Sequence, residues 1–184
     1  MSTPPPDARR TGTPAHEEQG VAEAPEGGLK LFVYCLMMGP EGLRDALGDR
    51  KTGTLRLRPA RLSGWRRIWN VYHPDWNGST LNVEPRTEDA VAGVLIEGLS
   101  QEDLAVLDER EASLLPRETV YVQPIDGDPV SAQLYWRRKG NHQGRPCSSY
   151  RSLVQQRAYR ADWEVYESLC KGCVDAEGQP LTFG

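Results

Sequence analysis

Glu111 is the residue of this 184-residue chain whose type and spacing best suit acid–base chemistry. It follows Leu104 and Leu107 at helical spacing, so a helix here places its carboxylate on the same apolar face as the two leucines. Burial on that face disfavours the charged form, and the negative end of the helix dipole acts in the same direction. We therefore expect a raised pKa for Glu111, which suits a general base near neutral pH. The alternative is that the helix ends at Arg110 and Glu111 points to solvent.

Composition limits the classes of function that this chain could have. A formal net charge of −4 gives no electrostatic footprint for nucleic acid or an anionic membrane. No apolar run approaches the roughly 20 residues that cross a bilayer, and the first twenty residues lack the apolar segment of a signal peptide. We expect a protein of the cytoplasm, with no nucleic-acid or membrane partner and with an oligomeric state that the sequence does not specify.

Metal and cofactor motifs are weak in this sequence. Cys170 and Cys173 form a CxxC, but no second CxxC or HxxxH pair completes a zinc tetrahedron. The three histidines lie in the predicted tail and loops, and no glycine-rich phosphate loop is present. We expect no metal site and no cofactor, and we interpret the CxxC as two ordinary thiols near a helix end.

The elements that must position Glu111 follow from the order of apolar runs and turn residues. Residues 1–27 are poor in large apolar side chains and are predicted to be disordered; a domain over 28–173 and a loosely held tail over 174–184 follow. LKLFVYCLMM, from Leu29, predicts a buried strand, and EGLRDALGD predicts a short helix that stops at Gly48. Ser100 and Asp103 have the spacing of a capping box at the start of the Glu111 helix.

Strands dominate the middle of the chain. We predict a strand over 52–62 interrupted by Pro59, further strands over 64–72 and 79–85, the latter ending at Pro85, and a central strand over 89–99 that needs close backbone approach at Gly93. HPDWNGS is predicted to be a turn. A hairpin through Gly127 and a helix from Ser148 to about residue 169 complete the pattern. The predicted fold class is α+β: a small mixed β-barrel with helices packed outside.

Between about residues 31 and 158 the chain resembles the γ-glutamylcyclotransferase-like superfamily, which includes AIG2-like and butirosin-pathway type enzymes. The likeness rests on a first strand ending in FVY, on PARLSGWRR, on PCSSY at 146–150, and above all on LDEREA after the strand AVAGVLIEGL. The LDEREA segment and the strand before it are similar to the family's LDxxEG element, which follows a VxG strand. The resemblance implies the γ-glutamylcyclotransferase-like barrel.

The resemblance also implies a reaction and its residues. Glu111 would take a proton from the free α-amine of a γ-glutamyl compound, the small-molecule substrate. That amine would attack its own γ-carbonyl, close 5-oxoproline and expel the attached amine. The implied substrate-binding residues are Tyr34, Cys35, Leu36 and Met37, in place of the family's YGSN or YGTL loop, and Tyr150, which matches a tyrosine that hydrogen-bonds the glutamate.

The loop at residues 34–37 departs from the family's sequence. Cys35 replaces a glycine whose backbone N–H approaches the substrate, and Leu36 and Met37 replace polar residues. Two interpretations follow: an enzyme whose leaving amine is larger or more apolar, in keeping with Leu36, Met37 and Met38, or a binding or scaffold protein that has lost the glutamyl pocket. Convergence of the N–H groups of residues 35–37 near Glu111 favours the enzyme, whereas a pocket filled by Leu36 or Met37 favours the scaffold.

Overall fold

The strands curl into one closed barrel because each contributes an apolar inner face. We describe a computed structural model, and its described residues are 28–48, 53–111, 113–142 and 147–158. The strands are β1 Leu29–Val33, β2 Arg56–His73, β3 Gly78–Leu99, β4 Arg117–Pro124 and β5 Val130–Tyr135. The helices are α1 Pro40–Leu47, α2 Gln101–Glu111 and α3 Ser148–Ala158, and two 3₁₀ turns span Leu36–Met38 and Pro74–Trp76. The predicted tails, the CxxC and the end of the last predicted helix lie outside the described residues.

The barrel has the strand order β1-β3-β2-β4-β5. Neighbouring strands are antiparallel except β1 and β5, whose parallel pairing closes the barrel. Gly93 is the point of close approach that the sequence predicted, since a Cβ there would collide with the Phe32 ring and the carbonyl oxygen of Val33. With three helices beside this mixed barrel, the predicted α+β fold class is confirmed.

The predicted breaks in the middle strands are wrong, because β2 and β3 each run without interruption through a proline. Pro59 pairs with Val94, and its carbonyl accepts the N–H of Ile125 at 3.0 Å. Its missing N–H therefore faces the β4 side, where β2 and β4 share only two paired positions. Pro85 pairs with Trp65, next to the register shift between Ser63 and Trp65. A bulge of this kind tolerates a proline that regular pairing would exclude.

The first predicted strand is also shorter than expected. β1 ends at Val33, and the following residues turn into the 3₁₀ segment Leu36–Met38 before α1 begins. Gly42 permits this arrangement, because a Cβ at that position would overlap the carbonyl group of Leu36. α1 ends where the sequence predicted, with Gly48 at a φ of 75° and its N–H bonded to the carbonyl of Arg44 at 2.8 Å.

Candidate functional site

The helix that carries Glu111 begins with the predicted capping box. The N–H of Ser100 donates to the Asp103 carboxylate at 2.8 Å, and the N–H of Asp103 donates to the Ser100 hydroxyl at 3.1 Å. Leu104 and Leu107 are buried on the face that the spacing predicted. The helix includes Glu111, so it does not end at Arg110. The interpretation that Glu111 belongs to the helix, and does not follow its end, is therefore the correct one.

Glu111 lies at the edge of the core with 19% of its side chain exposed. Burial raises the pKa of its carboxyl group, and the neighbouring Arg110 guanidinium acts in the opposite direction. Arg110 Nε lies 3.8 Å from a carboxylate oxygen of Glu111, and its Nη1 donates to the carbonyl of Asp45 at 2.9 Å. Glu111 is thus a partly desolvated carboxyl group with one exposed cation beside it.

Five of the six predicted site residues line one cavity of about 60 Å³: Cys35, Leu36, Met37, Glu111 and Tyr150. The sixth, Tyr34, is buried in the core, where its hydroxyl donates to the carbonyl of Tyr135 at 2.9 Å. Tyr34 is therefore placed to hold the start of the loop instead of lining the cavity. Met38, which the sequence associated with an apolar amine, is a core residue as well.

Polar groups converge on the sulfur of Cys35. Burial, and after it the charge of Glu111, raises the pKa of this thiol to about 11. Hydrogen bonds from the backbone N–H groups of Met37 and Leu36 and from the hydroxyl of Tyr150 act in the opposite direction. The Cys35 side chain forms no capping hydrogen bond with the 3₁₀ turn, and a thiol sulfur is a weak acceptor. Cys35 is a neutral thiol at pH 7 and holds the position toward which the loop donors point.

The hydroxyl of Tyr150 interacts with the Cys35 sulfur, whereas the resemblance implied a bond to the glutamate. Burial first, and then the charges of neighbouring groups that include Glu111, raise the pKa of Tyr150 well above its usual value. Its ring packs edge-on against Trp76 and Trp69, with centroid distances of 5.2 Å and 6.1 Å. Tyr150 is therefore a fixed, protonated donor in the wall of the cavity.

A buried arginine forms hydrogen bonds with the backbone at the start of the 34–37 loop. Arg67, on β2, is 8% exposed; its Nε donates to the carbonyl of Tyr34 at 3.2 Å and its Nη2 donates to the carbonyl of Ala92. These bonds tie the end of β1 to β2 and β3. Arg67 therefore belongs to the buried interior and not to the solvated surface.

A second, larger hollow of about 690 Å³ adjoins the cavity and shares part of its wall, including Leu36, His73 and Trp76. The sequence predicted a turn at His73 and Trp76 and indicated no functional role for either residue. The turn is confirmed, with Asn77 in a left-handed conformation at a φ of 45°. The position of this turn beside the end of α2 depends on strand pairing between residues that are far apart in the sequence, and no local sequence pattern reveals it.

Neither a metal-binding cluster nor a membrane-spanning helix is present within the described part of the chain. No group of three or more His, Cys, Asp or Glu side chains there could hold a metal ion. Across the same residues, no helix combines the length and apolar character that crossing a bilayer requires.

Comparison with known proteins identifies the family. A family profile described as "Gamma-glutamyl cyclotransferase, AIG2-like" matches residues 31–166. The chain belongs to this family. No curated protein sequence gives a significant match. This membership agrees with the closed barrel.

Solved structures with the same fold are distant in sequence. A protein named gamma-glutamyl cyclotransferase has a TM-score of 0.62 at 18% identity, over 80% of this chain and 88% of its own. An uncharacterized human protein has a TM-score of 0.59 at 17% identity, over 85% and 92%. YkqA from Bacillus subtilis has a TM-score of 0.62 at 19% identity, over 84% of this chain but 56% of its own. At these identities the likeness establishes the fold alone.

Proposed function

We propose that this protein is a γ-glutamyl cyclotransferase-type enzyme that converts a γ-glutamyl amide into 5-oxoproline and a free amine. One observation carries the proposal. The carboxyl group of Glu111 has a raised pKa and lines a cavity, and the backbone N–H groups of Leu36 and Met37 point toward the wall of the same cavity. A base and a set of donors on one cavity are the two requirements of acyl transfer.

Glu111 is the general base and then the general acid of the proposed reaction. Its carboxylate takes one proton from the substrate α-ammonium group, whose unperturbed pKa is about 7.7–8.0. The neutral nitrogen attacks the γ-carbonyl carbon and forms the ring C–N bond. Glu111 then returns the proton to the leaving nitrogen as the original amide C–N bond breaks. The nitrogen of the new ring loses a second proton as the tetrahedral intermediate collapses, and the released amine takes up that proton to become an ammonium ion. The four hydrogens of the substrate's ammonium and amide groups are then all present in the lactam N–H and the released ammonium group.

Most of the rate enhancement in such a reaction comes from holding one molecule in a folded conformation. Nucleophile and carbonyl belong to the same substrate, and correct positioning contributes about 7–11 kcal/mol in favourable cases. A rigid wall suits this task. The Arg67 bonds beneath the loop and the ring contacts of Tyr150 both restrict motion on the sides of the cavity.

The second candidate function is a binding or scaffold role without turnover. The observation that favours it is the position of the Cys35 sulfur, which takes the interactions with the loop N–H groups that a substrate oxygen would use. The cavity of about 60 Å³ is also far smaller than the roughly 300–1,000 Å³ of typical ligand pockets. A γ-glutamyl group would therefore have to displace the thiol or extend into the larger hollow.

A turnover assay separates the two candidates. The protein is incubated with a panel of γ-glutamyl amides, γ-glutamyl amino acids and glutathione, and 5-oxoproline and the released amine are quantified together. The enzyme proposal predicts equal amounts of the two products from at least one compound. The absence of 5-oxoproline from every compound, with a protein that unfolds cooperatively, would contradict the enzyme and favour the binding role.

A further inference from the structure

The larger hollow adjoins the Glu111 cavity. The two share Leu36, Trp76 and Leu114 among their lining residues, whereas Glu111 lines only the smaller one. The reacting γ-carbonyl must lie beside Glu111, and the inner space is about 60 Å³ against about 690 Å³ outside. The outer hollow is therefore the space into which the part of the substrate beyond the scissile amide can extend.

About half of the wall of this outer hollow is apolar, and the other half is polar. Leu36, Pro74, Trp76 and Leu114 contribute hydrocarbon or aromatic surface to it. Trp76 is half-buried, and its ring packs edge-on against Tyr150, so its orientation is fixed before any ligand binds. A preset indole face is suited to a flat apolar group, because aromatic pairs gain energy beyond the area that they bury.

The charged groups of the hollow are already engaged. Arg110 interacts with the Glu111 carboxylate and the carbonyl of Asp45. His73 Nδ1 accepts the N–H of Asp75 at 3.2 Å, and the Asp75 carboxylate lies 4.0 Å from the same nitrogen. A leaving group with its own carboxylate would meet Asp75 and compete with Glu111 for Arg110. These charges favour a leaving group that carries no negative charge.

We infer that the amine released by this protein carries an apolar, preferably aromatic, group that packs on Trp76 in the outer hollow, between the 3₁₀ turn Pro74–Trp76 and the end of α2. This inference rests on the proposed cyclotransferase function. It makes Trp76 a residue that determines substrate specificity, while Glu111 remains the group that moves the proton.

The kinetic test compares three probes: γ-glutamyl-benzylamide, γ-glutamyl-methylamide and γ-glutamylalanine. Wild type should use the benzylamide with a kcat/KM at least tenfold above that of either other probe, within the roughly 10- to 200-fold range that apolar pockets provide. Trp76→Ala should lower the benzylamide-to-methylamide ratio about tenfold, and Trp76→Phe should largely retain it. Tyr121→Ala, at an exposed tyrosine of β4 that lines neither hollow, is the matched control and should retain the wild-type ratio.

Two results would overturn the inference: a preference for γ-glutamylalanine, or a benzylamide-to-methylamide ratio that Trp76→Ala leaves unchanged. If no probe releases 5-oxoproline, the proposed function fails. Calorimetric binding of γ-glutamyl-benzylamide to the wild type then tests the apolar subsite independently of turnover. Tighter binding of the benzylamide than the methylamide, lost in Trp76→Ala, would support an apolar subsite at Trp76. Equal binding of the two amides would refute it. Thermal unfolding of each variant verifies that the fold is intact.

Discussion

The hydroxyl of Tyr135 donates a hydrogen bond of 2.7 Å to the carboxylate of Asp108, and this bond ties β5 to the helix that carries Glu111. Asp108 also forms an ion pair with Arg117 of β4, with 2.9 Å between Nε and the carboxylate oxygen. Asp108 precedes Glu111 by three residues, so both lie on neighbouring parts of the same helical turn. The end of α2 is therefore held by two strands at the point where the candidate base emerges.

Replacing Asp108 with alanine should loosen this end of the helix. Tyr135 is 5% exposed, so its hydroxyl would lose its acceptor in a mostly buried position, and we expect the free energy of unfolding to fall by about 1–3 kcal/mol. Urea unfolding measures the change. Glu109→Ala, which removes an exposed carboxylate from the same helix, is the control and should have a much smaller effect. Equal losses in the two variants would contradict an anchoring role for Asp108.

Cys35→Gly should raise the kcat/KM of the protein for γ-glutamyl compounds. The change removes the sulfur that contacts the N–H groups of Leu36 and Met37 and enlarges the cavity. One recovered hydrogen bond to a charged or polarised oxygen is worth about 1.5–3 kcal/mol, so kcat/KM should rise roughly tenfold or more. The assay is 5-oxoproline release, with Cys147→Gly as the control at the other described cysteine. A kcat/KM that stays the same or falls, in a variant that remains folded, would show that the thiol is not an obstacle.

Those parts of the fold that depend on neighbouring residues could be predicted from the sequence. The capping box of Ser100 and Asp103, the stop at Gly48 and the hairpin through Gly127 each depend on a few adjacent positions, and all three are present. The buried face of α2, and with it the placement of Glu111, follows from periodicity in the same way.

The remaining features depend on contacts that are distant in sequence. Pro59 and Pro85 were expected to break strands, but whether a proline is tolerated depends on which neighbour its missing N–H faces and on the position of a bulge. The partner of Tyr150 and the position of Trp76 beside the cavity depend likewise on how the barrel closes. Periodicity and turn residues carry no information about these contacts.

The dependence of activity on pH should report the raised pKa of Glu111. Turnover requires the carboxylate form, so kcat/KM should fall as the pH drops through a value above the usual 4.5 of a glutamate. On the alkaline side the substrate amine, with its pKa of about 7.7–8.0, becomes the neutral nucleophile without help from Glu111, so its loss of a proton should not lower kcat/KM. A pH–rate profile of the best substrate measures the acid limb. An acid limb at or below 4.5 would contradict a desolvated base.

Stability should depend on pH in a related way, since the folded state holds the Glu111 proton more tightly than the unfolded state does. The stabilisation that the protonated carboxyl group contributes is complete below about pH 4.5 and is lost as the pH rises through the raised pKa of the folded state. The free energy of unfolding of wild type minus that of Glu111→Gln should therefore decrease over this range. Urea unfolding at a series of pH values measures it, and a constant or increasing difference would exclude the raised pKa.

The catalytic role of Glu111 is tested directly by 5-oxoproline release from the best substrate of the panel, measured for Glu111→Gln and Glu109→Gln side by side. Both variants exchange one glutamate of α2 for its amide, but residue 109 is exposed and lies outside the cavity. We predict that Glu111→Gln lowers kcat by about 10²–10⁴-fold, as expected for the loss of a general base, while Glu109→Gln stays within twofold of wild type. Wild-type turnover by a folded Glu111→Gln variant would contradict the assignment of Glu111 as the catalytic base.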